Sequence, residues 1–165
     1  MLGLSLGLRK DEIFGLDRDN IDFECRLVHV QRTYVREHDG HKLMPPKTKM
    51  SDRYIPLRKK STEWLHELYI KRGKPARVVC VNYKGDRANP RTATDRWLPY
   101  LCKHDLPYVT MLNLRHSFAT SCLMTGMEIR KVSHYLGHTT INTTAARYMR
   151  YKAEDVVDDF DKFVD

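Results

Sequence analysis

Apolar positions along this chain recur mostly at helical intervals, with one stretch of alternation near the N-terminus. Leu114, Phe118 and Cys122 stand at i, i+4 and i+8, which predicts a buried helix stripe capped by Thr110 or Asn113. Residues 128–136 predict another helix, ended by Gly137 at the C′ position, with Thr139 or Thr140 capping a helical turn over 141–147. Upstream, Ser61 is expected to cap a helix through residue 71, with Trp64, Leu65 and Leu68 inward. Pro90 opens a helix that packs Trp97, Leu98 and Leu101. Residues 1–8 read as a helix end broken at Gly7, and Asp11 and Glu12 favour a short helix running to about Leu16. A final acidic helix is expected over 153–164, with Val156, Val157, Phe160 and Phe163 apolar.

Over residues 26–35 the period changes to two, with β-branched and aromatic residues on both faces, as a strand requires. Asp39-Gly40 signals a hairpin, residues 42–44 can return as a strand, and residues 53–57 supply a third. Residues 77–81 are an apolar run short enough for a strand. The pattern predicts the α+β class, mainly helical with a small three-stranded antiparallel sheet near the N-terminus. No internal repeat is visible.

At 165 residues the chain can bury the core of one domain. It contains no apolar run of about 18 residues, so no membrane span is expected. No signal peptide is visible, so a cytosolic protein is expected. The net charge of +8 and pI near 9.4 favour a polyanionic partner. Cys25, Cys80, Cys102 and Cys122 are scattered and read as reduced core residues rather than a disulfide or zinc framework. His134 and His138 have a zinc-compatible spacing, but Gly137 interrupts the helix between them and no third ligand is evident, so no metal is expected.

The predicted helix start places Arg115 and His116 in a first turn, where the dipole is positive and a cation is unfavourable. An anion there would resolve the conflict, held by free N–H groups and the guanidinium together. His138 would sit in the tight turn after Gly137, with Tyr148 ten residues further on. The run Leu114-Arg115-His116-Ser117-Phe118-Ala119-Thr120, followed by Leu136-Gly137-His138 with Thr143-Thr144 and then Tyr148, resembles the tyrosine recombinases, the family of phage and transposon integrases. Gly7, Leu8, Arg9, Glu12, Ile13 and Leu16 fit the family's first arginine box. Lys47 fits its hairpin lysine, with Lys49 as a second candidate.

The resemblance implies site-specific DNA recombination or integration, without metal or cofactor. Arg9 and Arg115 would grip the non-bridging oxygens of one DNA phosphate. Tyr148 would attack it, with Tyr151 as the rival nucleophile, leaving a 3′-phosphotyrosine and a free 5′-hydroxyl. A free tyrosine has a pKa of about 10, so the nucleophile needs a base or a positive field. Lys47 would protonate the leaving 5′-oxygen, and His138 would hydrogen-bond the phosphate and help position the nucleophile. The family pattern His-x-x-Arg has Leu112 at its histidine position. Leucine cannot bind phosphate or accept a proton, so the enzyme would be impaired. The alternative is a non-catalytic or degenerate DNA-binding remnant. The resemblance further implies double-stranded DNA as partner, a homotetramer on DNA for the full-length protein, a monomer for an isolated domain, and a place in the cytoplasm of a bacterial or phage-infected host cell. It also implies that residues 1–165 are an N-terminally truncated catalytic domain lacking the core-binding domain, with a tail that docks on a neighbouring subunit.

Overall fold

The computed structural model describes residues 2–71 and 78–145. Tyr148, Tyr151 and the acidic helix expected over 153–164 lie outside the described residues. The described part is mainly helical with small antiparallel sheets, as the pattern predicts. Two short helices open it, α1 (Leu2–Leu6) and α2 (Lys10–Gly15). Five strands follow: β1 (Ile21–Asp22), β2 (Leu27–Val30), β3 (Thr33–Glu37), β4 (Gly40–Met44) and β5 (Arg53–Pro56). Then come α3 (Lys59–Lys71), α4 (Pro90–Lys103), α5 (Met111–Met124) and α6 (Ile129–Leu136), with residues 141–145 again helical. No helix among the described residues is long and apolar enough to cross a membrane.

The sheet differs from the one expected. The alternating run is two strands, because the chain leaves the sheet at Gln31-Arg32. The Arg32 carbonyl lies 2.6 Å from where a Cβ on Gly15 would stand, so the absence of that side chain lets the backbone cross α2. Arg32 also reaches the buried Asp17 carboxylate at 3.4 Å. The three-stranded sheet is therefore β1-β2-β5, with Val28 opposite both Ile21 and Ile55. The β3-β4 hairpin stands apart as a two-stranded ribbon. Its turn is His38-Asp39, one residue earlier than the Asp39-Gly40 signal, since Glu37 pairs with Gly40.

The larger core joins α1, the sheet and α3 through Leu6, Leu8, Val28, Val30, Ile55 and Leu65, all essentially solvent-free. Burying each such side chain fully is worth about 1.5–3 kcal/mol. A second cluster, Phe118, Ala119, Cys122, Val132 and Leu136, locks α5 to α6. The α5 stripe is shifted from the one expected. Arg115 is buried beside Phe118 and Ala119, whereas Leu114 is only partly covered and lies against Gly3 of α1.

Other expectations are corrected by burial and hydrogen bonding. Ser61 lies inside α3, its N–H donating to the Arg58 carbonyl, so it is not the cap. Residues 78–81 form only isolated bridges, Asp17 with Val78 and Val81 with Arg87. Leu98 is exposed on α4, where Leu101 carries the packing. Only Cys122 is a core cysteine; Cys25 and Cys102 are exposed and Cys80 is half-buried. Asn89 caps α4 by accepting from the N–H groups of Arg91 and Thr92, ahead of Pro90 at the first helical position.

Candidate active site

One buried carboxylate and one helix end gather three distant arginines. Glu12 is the third residue of α2, and its carboxylate reaches back to accept the Arg9 N–H at 2.7 Å, half of a capping box. That carboxylate is 1% exposed. Arg53, on β5, grips it with two parallel bonds of 2.9 and 3.1 Å. Arg9 Nη1 adds a bond of 3.0 Å, and Arg115 Nη1 stands 3.8 Å away. Burial alone would push the Glu12 carboxyl up. The hydrogen bonds and charge of Arg53, with the N–H and charge of Arg9, outweigh it and hold the group below its ordinary value.

The same arginines take three successive carbonyls at the end of α6. Arg53 Nε donates to Tyr135 at 2.7 Å, Arg115 Nη2 to Leu136 at 2.6 Å, and Arg9 Nη2 to Gly137 at 3.1 Å. The last carbonyls of a helix lack intrahelical partners, and the dipole favours cations there. The helix terminus therefore fixes the guanidinium positions, and they in turn fix the terminus. Arg115 also donates to the Gly7 carbonyl at 2.6 Å, tying α1 to the site.

Arg115 does not lie where the dipole argument puts it. Thr110 is the cap of α5, accepting from the Asn113 N–H, and Arg115 is the fifth helical residue. It lies beyond the first turn and faces the interior, so its surroundings are carbonyls and Glu12 rather than free N–H groups. The positive field is retained all the same. Among the described residues, Arg9 and Lys47 on the cleft wall with Arg53 and Arg115 buried behind it outnumber Asp11 and Glu12 by four to two, a surplus of two charges.

Gly137 ends α6 in the left-handed conformation, φ 65° and ψ 43°, as its C′ position predicts. A Cβ there would stand 3.0–3.2 Å from the Arg53 guanidinium and Cδ. Gly137→Ala is therefore expected to lower stability by about 1–2 kcal/mol from the backbone alone, and by more because Arg53 must shift. Thermal denaturation of the variant beside the parent measures this. A melting temperature unchanged by Gly137→Ala would contradict the close packing.

The turn delivers His138 to the arginines. Its Nε2 lies 3.1 Å from Arg115 Nη2 and its Nδ1 lies 2.7 Å from Thr144 Oγ1. Arginine only donates, so Nε2 accepts, and the proton on Nδ1 points to the threonine. Thr144 is 0% exposed and sets the ring's orientation.

An open cleft of about 450 Å³ brings Arg9, Glu12, Lys47 and His138 together. Lys47 lies on the loop from β4 to β5 (residues 45–52), exposed at the cleft wall. Lys49 begins the short 3₁₀ turn Lys49–Ser51 and is not among the cleft-lining residues. Asp52, at the end of the loop, is held at 2.7 Å by His29, whose ring stacks on Tyr54. Leu112 is 57% exposed on the first turn of α5 and is not among the cleft-lining residues.

Arg53 is not singled out by the sequence reading, and Thr144 is quoted there only within a motif, without a role. Arg53 shares the inward face of β5 with Ile55, and that alternation is a signal that it is buried. Thr144 gives no periodic signal; its place in the Leu136-Gly137-His138 … Thr143-Thr144 motif is what marks it.

The fold has solved counterparts. The integrase of transposon Tn1549, in complex with a circular intermediate DNA, superimposes with a TM-score of 0.78 at 23% identity, covering 88% of this chain and 51% of that one. The chain belongs to the phage integrase family, whose sequence pattern matches residues 1–155. It is 31% identical over 147 residues to tyrosine recombinase XerC of Chlamydia trachomatis, covering 85% of this chain and 42% of the relative. It is 29% identical over 160 residues to the transposase of transposon Tn916 from Enterococcus faecalis, covering 88% of this chain and 40% of the relative. The chain thus spans about two fifths of the length of these curated relatives.

Proposed function

We propose that residues 1–165 are the catalytic domain of a tyrosine-type site-specific recombinase, which cuts and rejoins double-stranded DNA through a 3′-phosphotyrosine. The observation that carries this reading is the gathering of Arg9, His138 and Lys47 on the wall of one cleft, with the buried Arg115 directly behind His138, from four separate parts of the chain. The names of its relatives, an integrase, a transposase and a tyrosine recombinase, support it. The surplus charge suits a phosphodiester. Arg9 and Arg115 stabilise the charge that gathers on its non-bridging oxygens, and preorganised donors of this kind are each worth about 10²–10³ in rate.

The Tyr148 phenol gives up its proton to solvent, favoured by the positive field of the arginines, and its oxygen forms the new bond to phosphorus. The bond to the 5′-oxygen breaks, that oxygen takes the electron pair, and Lys47 supplies its proton. Lys47 takes precedence over Lys49 because it lines the cleft. His138, oriented by Thr144, donates to the phosphate once its Nε2 carries a proton and Arg115 has turned from it to the oxyanion. The phosphotyrosine conserves the ester bond, so a 5′-hydroxyl can reverse the step without ATP. The full-length protein acts on DNA as a homotetramer in the cytoplasm.

A duplex nicked near the scissile phosphate traps the intermediate, because the short leaving strand diffuses away. A covalent protein–DNA adduct is expected from the parent chain, and Tyr148→Phe is expected to abolish it. No adduct at high protein concentration would defeat the reading. An adduct that survives in Tyr148→Phe would move the nucleophile to Tyr151. Leu112 is exposed, so histidine fits there without disturbing the core. Leu112→His is expected to raise the adduct yield at fixed time by roughly 10²-fold, the lower end for restoring a proton-transfer group. An unchanged yield would show that position 112 does not limit the reaction.

A further inference from the structure

Arg53 has no part in the chemistry above, yet its side chain is 0% exposed and four of its N–H bonds are committed. Its partners belong to three walls of the cleft. Glu12 lies on α2, whose cap is Arg9. The Tyr135 carbonyl belongs to the last turn of α6, which leads into His138. The Ser51 carbonyl, 3.0 Å from Arg53 Nη1, belongs to the loop that carries Lys47. From Ser51 the contacts continue toward the lysine: its N–H donates to the Thr48 carbonyl at 3.0 Å, and the two hydroxyls meet at 3.0 Å. Thr48 is the immediate neighbour of Lys47, and both line the cleft.

We infer that Arg53 is a positioning residue, which sets where the Lys47 loop stands relative to the Arg9–Arg115 pair. The inference rests on the reading of Lys47 as general acid. A proton donor must come within about 2.6–3.2 Å of the atom it protonates. A misplacement of about 1 Å can cost roughly 10² in rate. Only a forked guanidinium can hold Glu12, Tyr135 and Ser51 at once. A lysine there keeps the charge opposite Glu12 but presents a single nitrogen.

The test compares two duplexes in single-turnover cleavage by the intact chain. One has the ordinary scissile linkage. In the other, sulfur replaces the 5′-bridging oxygen. The P–S bond breaks with its electron pair on sulfur, and the thiolate leaves without a proton, so this duplex does not need the general acid. Arg53→Lys is expected to lose roughly 10²-fold on the oxygen duplex and no more than about fivefold on the sulfur duplex. Lys47→Ala should show the same selectivity. Adding Arg53→Lys to Lys47→Ala should then lower oxygen cleavage no further, because both changes act on one proton transfer. Equal losses on the two duplexes, or undiminished oxygen cleavage, would overturn the assignment. If Arg53→Lys does not fold, Thr48→Val carries the same comparison from an exposed position, with selective loss supporting the inference and equal loss overturning it. A parent chain that cleaves neither duplex defeats the recombinase reading and this inference with it. A parent that cleaves both, beside an unselective variant, defeats this inference alone.

Discussion

Glu12→Ala is expected to destabilise the domain by about 3–5 kcal/mol, the cost of leaving a buried charge without its partner. Arg53 is 0% exposed and has no solvent to turn to. Its Tyr135 and Ser51 bonds satisfy donors but do not neutralise charge. The substitution also removes the acceptor for the Arg9 N–H at the cap of α2. Such a loss is a large part of the roughly 5–15 kcal/mol that keeps a domain folded. In a chain of this size it corresponds to a fall in melting temperature on the order of 10 °C. Thermal denaturation checks it, and a shift of only a degree or two would mean that the three arginines do not depend on this carboxylate. The same group makes stability depend on pH. Its folded pKa lies below the ordinary glutamate value of 4.5, so the unfolded chain binds the proton more readily. This contribution is fully present above about pH 4.5. It fades as pH falls below that value, and is gone once pH passes beneath the depressed folded value.

Arg9→Ala is expected to leave the fold nearly intact and to slow DNA cleavage by roughly 10²–10³-fold. Arg9 is the most exposed of the three arginines, its side chain 41% accessible at the cleft wall. Without it, Glu12 keeps both Arg53 bonds and the backbone N–H of residue 9. The Gly137 carbonyl loses one donor at a partly open site. What disappears is a guanidinium free to turn from Glu12 toward an oxyanion. Duplex affinity should change far less than rate, because one phosphate contact is a small share of non-specific binding. Single-turnover cleavage with a parallel melting curve separates the two effects.

Much of this site is legible in the sequence because its residues stand in local motifs. Arg9 and Glu12 fall three apart across a helix start, and Gly137 with His138 form a helix stop followed by a turn. Local rules read such features well. The role of Arg53 depends on contacts across 41 and 82 residues, to Glu12 and Tyr135, which no local pattern encodes. The dipole argument for Arg115 failed for a related reason. It assumed that the guanidinium serves its own helix, whereas it serves the ends of α1 and α6. The strand over 26–35 was divided by a tertiary event, the crossing of Arg32 over Gly15, while its alternation continues unbroken in the sequence.

The central claim is that Arg9 and Arg115 act on the negative charge of one scissile phosphate. Its most direct measurement is cleavage by Arg9→Ala of a duplex whose scissile phosphate carries a methyl group in place of one non-bridging oxygen, making the linkage neutral. The prediction is that the variant's deficit of roughly 10²–10³ on ordinary DNA shrinks to within about tenfold of the parent on the neutral linkage. A deficit of the same size on both linkages would contradict the account, since Arg9 would then contribute nothing through charge on the phosphate.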